Sequence, residues 1–308
     1  MHASTPSSID KPRAGLALEW ALLALLATCW GASYTFIKIG VATIPPVTLI
    51  AARTLIAGAL LLAVLRMRGV KLPTEPSIWR RFMLQACLNS VLPFTLIAWA
   101  ERNVDAGLAT ILNSTSPIFI FLLGLGLGGA DKPTLRRLFG VGAGLAGICL
   151  IVGFEALNGL GHSLIAQLAL VAAAVCYGCA AMFGPVFKGL DPMVPAAGSL
   201  VSGAAMLVPA SLVVDRPWTL SPSAASMSAV LALAVLSTAL AFTIYFRLIR
   251  TLGPMSTAAQ AYLRVPIGVT IGVMFLGEAL APTAWIGLAC VVTGVVAMTM
   301  PETKLLRR

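Results

Sequence analysis

The sequence predicts an all-α integral membrane protein of ten transmembrane helices, built as two inverted five-helix repeats. Three observations carry this. Of 308 residues, 59% are hydrophobic and 10% charged, with a mean hydropathy of +0.95; a soluble globular chain is about 25% charged. Ten apolar runs are long enough to cross a bilayer. The chain is also written twice. Residues 102–134 align without a gap on 251–283, setting Ala109 on Ala258, Pro117 on Pro266, Ile118 on Ile267, Leu127-Gly128 on Leu276-Gly277 and Pro133-Thr134 on Pro282-Thr283. Earlier in each half, Cys29-Trp30-Gly31 matches Cys176-Tyr177-Gly178, and Pro45 matches Pro192. Duplicated, inverted halves let a secondary transporter hold one site at the midplane and expose it to each side in turn.

The runs lie near 17–40, 46–65, 82–100, 106–128, 138–154, 164–187, 193–214, 224–246, 254–276 and 282–300. Turn chemistry separates them: Ile44-Pro45-Pro46, Pro73 and Pro76, Asp131-Lys132-Pro133, Asp191-Pro192, Asp215-Arg216-Pro217 and Gly253-Pro254. The chain divides into a polar N-terminal segment (1–16), a first repeat (17–155), a second repeat (156–300) and a short tail (301–308). The first apolar run is long enough to stay in the bilayer, so the start of the chain does not read as a cleaved signal.

Lys and Arg set the direction. They crowd the N-terminus (Lys11, Arg13), the even-numbered loops (Arg66, Arg68, Lys71, Arg80, Arg81; Lys132, Arg136, Arg137; Lys188; Arg247, Arg250) and the tail. The odd-numbered loops hold only Arg102 and Arg216, beside Glu101, Asp105, Glu155, Asp215 and Glu278. Both termini are therefore expected in the cytoplasm. Five spans per half make the second half enter from the opposite face.

The net charge of +10 does not indicate nucleic acid, because the cations sit in short loops between apolar runs. Six cysteines fall inside the spans and read as small packing residues, Cys176 and Cys179 included. Two histidines, His2 and His162, lie outside the spans, and no metal-ligand spacing or catalytic triad appears. No enzyme activity, metal or cofactor is expected. The Gly124–Gly129 run has no strand before it and reads as helix packing. The same reading applies to Gly140, Gly144 and Gly147, and to Gly287 and Gly294.

Polar groups at membrane depth each ask for a reason. Arg264 lies about ten residues into the ninth span, roughly 15 Å deep. It reads as an anchor for a substrate carboxylate or as a partner of backbone carbonyls. Arg53 and Lys38 lie nearer the outer face. Arg53 is expected to pair with a loop acid such as Glu278, and Lys38 to reach water or line the path. No acid falls in the middle third of any span, which argues against cationic drugs and against a carboxylate proton switch. Trp30, Tyr34 and Lys38 share one helix face; Ser256, Gln260 and Arg264 share another. With Tyr262, Asn89, Asn113, Tyr177 and Tyr245 they form the candidate lining. Pro117 and Pro266, at equivalent places in the halves, are the expected bends.

Trp30-Gly31-Ala32-Ser33-Tyr34, Ala52-Arg53-Thr54-Leu55-Ile56-Ala57 and Phe275-Leu276-Gly277-Glu278, followed by the Gly287/Gly294 helix, resemble the EamA-type branch of the drug/metabolite transporter superfamily. The resemblance covers about residues 17–300. The first half departs from it, with Gly128-Gly129-Ala130-Asp131 where the family often has Gly-Glu. The resemblance implies a multi-pass exporter in the bacterial inner membrane, with a cavity formed mainly by spans 1, 3, 4, 6, 8 and 9. Its functional type is similar to amino-acid exporters of the YddG kind. The expected function is export of small amino acids, aromatic or otherwise neutral, or of related metabolites, by facilitated alternating access. A multidrug or nucleotide-sugar-like carrier is the alternative, and a membrane-embedded enzyme a more distant one. The expected partners are the small-molecule substrate and the lipid bilayer, with no nucleic acid; a monomer is expected, with a dimer as the other arrangement.

Overall fold

A computed structural model describes residues 13–126, 134–157, 161–258 and 260–299. The polar N-terminal segment up to residue 12, the 127–133 connection and the tail lie outside the described residues, as does the expected placement of both termini.

The described chain is helical throughout. The helices are α1 (Arg13–Val41), α2 (Pro46–Met67), α3 (Pro76–Ala86), α4 (Leu92–Ala100), α5 (Ala106–Asn113), α6 (Ser116–Gly126), α7 (Leu135–Leu157), α8 (Gly161–Phe183), α9 (Met193–Val214), α10 (Ala224–Ala234), α11 (Ala241–Thr251), α12 (Gly253–Ala258), α13 (Gln260–Leu276) and α14 (Pro282–Thr299). Wide π turns at Cys87–Val91 and Val235–Leu240 join α3 to α4 and α10 to α11. Among the described residues, seven helical stretches are long and apolar enough to cross a membrane, and 263–276 and 282–297 are shorter apolar helices.

Local chemistry sets the ends. Pro46, Pro76 and Pro282 open α2, α3 and α14, where a missing N–H costs nothing. Ser223 caps α10 by accepting a hydrogen bond from the Ser226 N–H at 3.1 Å. Large apolar side chains such as Leu55, Val213, Met274 and Phe275 point outward, which suits a surface bathed in lipid.

Apolar lipid gives helices little hydrophobic reason to associate, so close approach through small residues matters. Helix α7 packs along α14. A Cβ on Gly294 would stand 2.5 Å from the Gly140 carbonyl, and one on Gly147 would stand 2.8 Å from that of Gly287. These are the glycines expected to pack. Helix α2 packs along α9, α1 against α13 and α10, and α8 against α4 and α6. At the α1–α13 crossing a Cβ on Gly31 would stand 3.0 Å from both the Arg264 carbonyl and the Gly268 nitrogen. Two backbones therefore nearly touch one helical turn from Arg264.

The expected bend pair is not symmetric. Pro117 follows a true interruption, since α5 ends at Asn113 and α6 begins at Ser116. Pro266 lies inside the continuous helix α13. A helix interior can keep its course around a proline when neighbouring groups meet the freed carbonyl.

Candidate substrate cavity

The helices enclose a cavity of about 830 Å³. It runs from Tyr34, Arg53 and Asn113 to Lys188, Gly189 and Leu190 in the connection between α8 and α9. Of the candidate lining, Trp30, Tyr34, Asn89, Asn113, Tyr177, Tyr245, Gln260 and Arg264 border it, with Pro117 and Arg53. Lys38 and Glu278 do not border it. The side chain of Tyr262 lies outside the described residues.

Both π turns face this space, through Asn89 and Ser237. The second turn has a direct role. The Thr238 hydroxyl donates to the Leu233 carbonyl five residues back (2.8 Å) and accepts from Arg53 Nε (3.0 Å). A regular turn closes four residues back, so the widened turn sets where this hydroxyl meets the arginine. The Arg53 guanidinium lies over the Phe94 ring, 3.7 Å from its centre. Phe94 in turn neighbours Tyr177, their ring centres 6.4 Å apart. Asn113 Nδ2 donates to the Tyr34 hydroxyl, while Asn113 Oδ1 is buried without a donor. Trp30 contacts Tyr245 and Phe242, with ring centres 5.4 Å and 6.1 Å apart.

Arg264 is the unusual member. Its Nε is buried with no acceptor, and among the described residues no acid lies within ion-pair distance of it. Gln260 Oε1, one turn earlier, also lacks a partner. Among the described residues, the cavity lining contains Arg53, Lys188 and Arg264 and no Asp or Glu.

The acids sit elsewhere, and two expectations change. Glu278 does not pair with Arg53. Its two carboxylate oxygens accept the backbone N–H groups of Ala106 (2.7 Å) and Gly107 (2.9 Å), capping the start of α5. Free N–H groups at a helix start compete well for a carboxylate, and Arg53 is already held by Thr238 and Phe94. Lys38 does not line the cavity; its Nζ donates to the Val104 carbonyl at 2.8 Å. Glu101 had the look of an outer-loop acid, one residue beyond the helical stretch 76–100. It is instead fully buried, with neither carboxyl oxygen hydrogen-bonded.

Sequence reasoning missed the wall formed by Phe94, Phe242 and Phe246, and the loop around Lys188. Phe242 lies three residues before Tyr245 and four before Phe246, a helical spacing that could have placed them. Lys188 and Asp191-Pro192 marked a loop there, but nothing in the sequence set that loop against the cavity.

The profile of the EamA-like transporter family matches residues 18–153 and matches again at 164–300. The chain belongs to the EamA-like transporter family. Its similar relatives in this family include the uncharacterized inner membrane transporter YedA of Escherichia coli (strain K12). The two are 28% identical over 285 residues, covering 92% of this chain and 91% of that one. Another is a probable terminal-alkyne amino-acid exporter of Streptantibioticus cattleyicolor, 26% identical over 279 residues and covering 90% and 91%. A solved crystal structure shares the fold, with a TM-score of 0.61 at 20% identity over 94% of this chain and 98% of that one. The cavity is thus that of a membrane transporter of the family.

Proposed function

We propose that this transporter exports small amino acids, aromatic or otherwise neutral, or related metabolites across the bacterial inner membrane. In this reading it works by alternating access between two inverted five-span halves. The observation that carries the substrate reading is Arg264: a cavity-lining guanidinium whose Nε is buried without an acceptor. Leaving such a group unpaired is costly, and a solute carboxylate would satisfy it by charge-assisted hydrogen bonds. Gln260 stands one turn away, and Trp30, Tyr34, Tyr177 and Tyr245 supply an apolar wall with polar tips. The relatives named as an inner-membrane transporter and a probable amino-acid exporter point the same way.

The helix pairings support the two-half reading. Helix α2 pairs with α9, and α7 with α14. Helix α1 meets α13 and α11, as α8 meets α6 and α4. Each pairing maps onto itself or onto another when the halves are exchanged. Transport runs down the solute's own gradient, since no lining carboxylate among the described residues could exchange a proton for substrate.

The test is uptake by purified protein in liposomes, offering amino acids beside cationic dyes and nucleotide sugars. Amino-acid movement is expected; movement of dyes or nucleotide sugars alone would favour the alternative carriers. Arg264→Ala should lower amino-acid transport about 10-fold or more, as loss of a charged hydrogen-bond partner implies. Arg264→Lys asks whether charge without the planar fork suffices. Normal transport by the alanine variant would remove Arg264 as the anchor.

A further inference from the structure

The charges around the cavity do not balance, and the imbalance describes the solute. Arg53 and Arg264 both border the space, and Tyr177 lies within electrostatic reach of both. Among the described residues, no acid answers them. Glu278 spends both oxygens on the start of α5. Glu101 is fully buried with no donor on either oxygen. A carboxylate held so would be an uncompensated buried charge, so this geometry belongs to the neutral acid. Lys38 turns to a carbonyl rather than to Glu101. Among the described residues, no Asp or Glu borders the cavity.

Arg53 is held ready without being satisfied. Thr238 takes its Nε and Phe94 supports its face, while among the described residues no acceptor meets its two terminal nitrogens. A purely structural arginine would spend that fork on carbonyls or a carboxylate. An arginine fixed at Nε and from below, with its fork open to a cavity, is oriented for an arriving anion.

We propose that the solute carries two acid groups, one held by Arg264 and the other by Arg53: a small dicarboxylate or a dicarboxylic amino acid. This rests on Arg264 as the carboxylate anchor, moves the preferred solute from neutral amino acids to a diacid among the related metabolites of that reading, and adds Arg53 as the residue that selects for a second charge. A neutral amino acid would leave one guanidinium uncompensated and bring an ammonium into a space that holds no acid. The amino group of a dicarboxylic amino acid would be met by the unpartnered amide oxygens of Gln85, Asn113 and Gln260, while its second carboxylate balances Arg53.

Binding and counterflow with the purified full-length protein in liposomes test this, using succinate, aspartate, butyrate and leucine as probes. Succinate or aspartate should bind at least about 10-fold more tightly than butyrate or leucine, the worth of one additional charged hydrogen-bonded contact. Arg53→Gln should weaken the dicarboxylates about 10–100-fold and leave leucine within about 3-fold. Arg264→Gln should weaken all four. Should Arg53→Gln fail to fold, the unaltered protein decides between succinate and its monomethyl ester, which removes one charge at nearly the same shape. The ester should bind about 10-fold more weakly. Equal binding of ester and diacid overturns the proposal, as does a loss for leucine in Arg53→Gln as large as that for succinate. If neutral amino acids move and dicarboxylates do not, the second-acid inference falls while the Arg264 anchor stands. If only cationic dyes move, both fall.

Discussion

Glu278→Ala measures what this carboxylate does at the start of α5. The carboxylate accepts two backbone N–H groups at 2.7 Å and 2.9 Å, and both donors, Ala106 and Gly107, are buried. Hydrogen bonds to an ionised group contribute about 1.5–3 kcal/mol each. The charge at a helix start adds about 0.3–1 kcal/mol. Glu278 is itself only partly buried, so water replaces some of what is lost, and the lower end applies: about 2–4 kcal/mol in all. At about 2–4 °C per kcal/mol for a chain of this size or slightly smaller, the unfolding midpoint in detergent should fall by roughly 4–15 °C. Glu278→Gln keeps one acceptor oxygen and should lose about half as much. The cap also predicts that Glu278→Ala and Arg53→Gln act independently, their stability effects adding to within about 0.5 kcal/mol. A midpoint unchanged in Glu278→Ala would refute the cap. A coupling well above that limit would restore the Arg53–Glu278 ion pair.

Burial pushes the Glu101 carboxyl well above the ordinary value of 4.5; Lys38 opposes the shift, Glu278 adds to it and Arg53 opposes it. The folded protein thus keeps a proton that the unfolded chain releases. This contribution is complete below pH 4.5 and is lost as pH rises toward the folded value, by up to about 1.4 kcal/mol per pH unit. The midpoint should therefore fall as pH rises above 4.5, and Glu101→Gln should flatten the fall; parallel curves for the two proteins would show Glu101 ionised throughout. Gly294→Ala should destabilise by about 1–3 kcal/mol by forcing α14 from α7, whereas a Cβ at Gly142 meets nothing within 4 Å. Gly142→Ala should be neutral or stabilising by up to about 1 kcal/mol, so equal losses in the two variants would mean that close approach is not what those glycines provide.

Much of the fold was legible because its signals are local. An apolar run needs no partner to declare itself, and Pro46, Pro76 and Pro282 mark helix starts wherever they occur. The cavity was legible in part for a related reason. Polar and aromatic residues at helical spacing, such as Trp30 with Tyr34 and Gln260 with Arg264, share a face whatever that face meets. What could not be read were choices between partners far apart in the chain. Glu278 could reach either an arginine or the start of a helix more than 170 residues earlier, and only the packed arrangement decides. Glu101 follows a span by one residue, where an acid ordinarily meets water; its burial comes from neighbours contributed by other elements.

The π turns carry the same lesson further. They occur at Cys87–Val91 and Val235–Leu240, and the 149-residue offset that relates 102–134 to 251–283 carries the first onto 236–240, inside the second. No residue type announces a π turn as proline announces a bend, so the prolines drew attention and the wide turns did not. Pro117 and Pro266 match in sequence but not in backbone, whereas the wide turns match in backbone with different side chains. Asn89 in the first corresponds to Thr238 in the second, and only Thr238 holds an arginine. That arginine is unmatched as well: carrying the Pro45–Pro192 alignment eight residues on sets Arg53 against Leu200, and Arg264 falls on Thr115. Both arginines that face the cavity therefore occur in one half only. A motion that exchanges the two halves needs their backbones alike, while a single solute in the middle has no such symmetry and needs its charges met on particular sides. The shared wide turns fit the first requirement, and the two unmatched arginines fit the second.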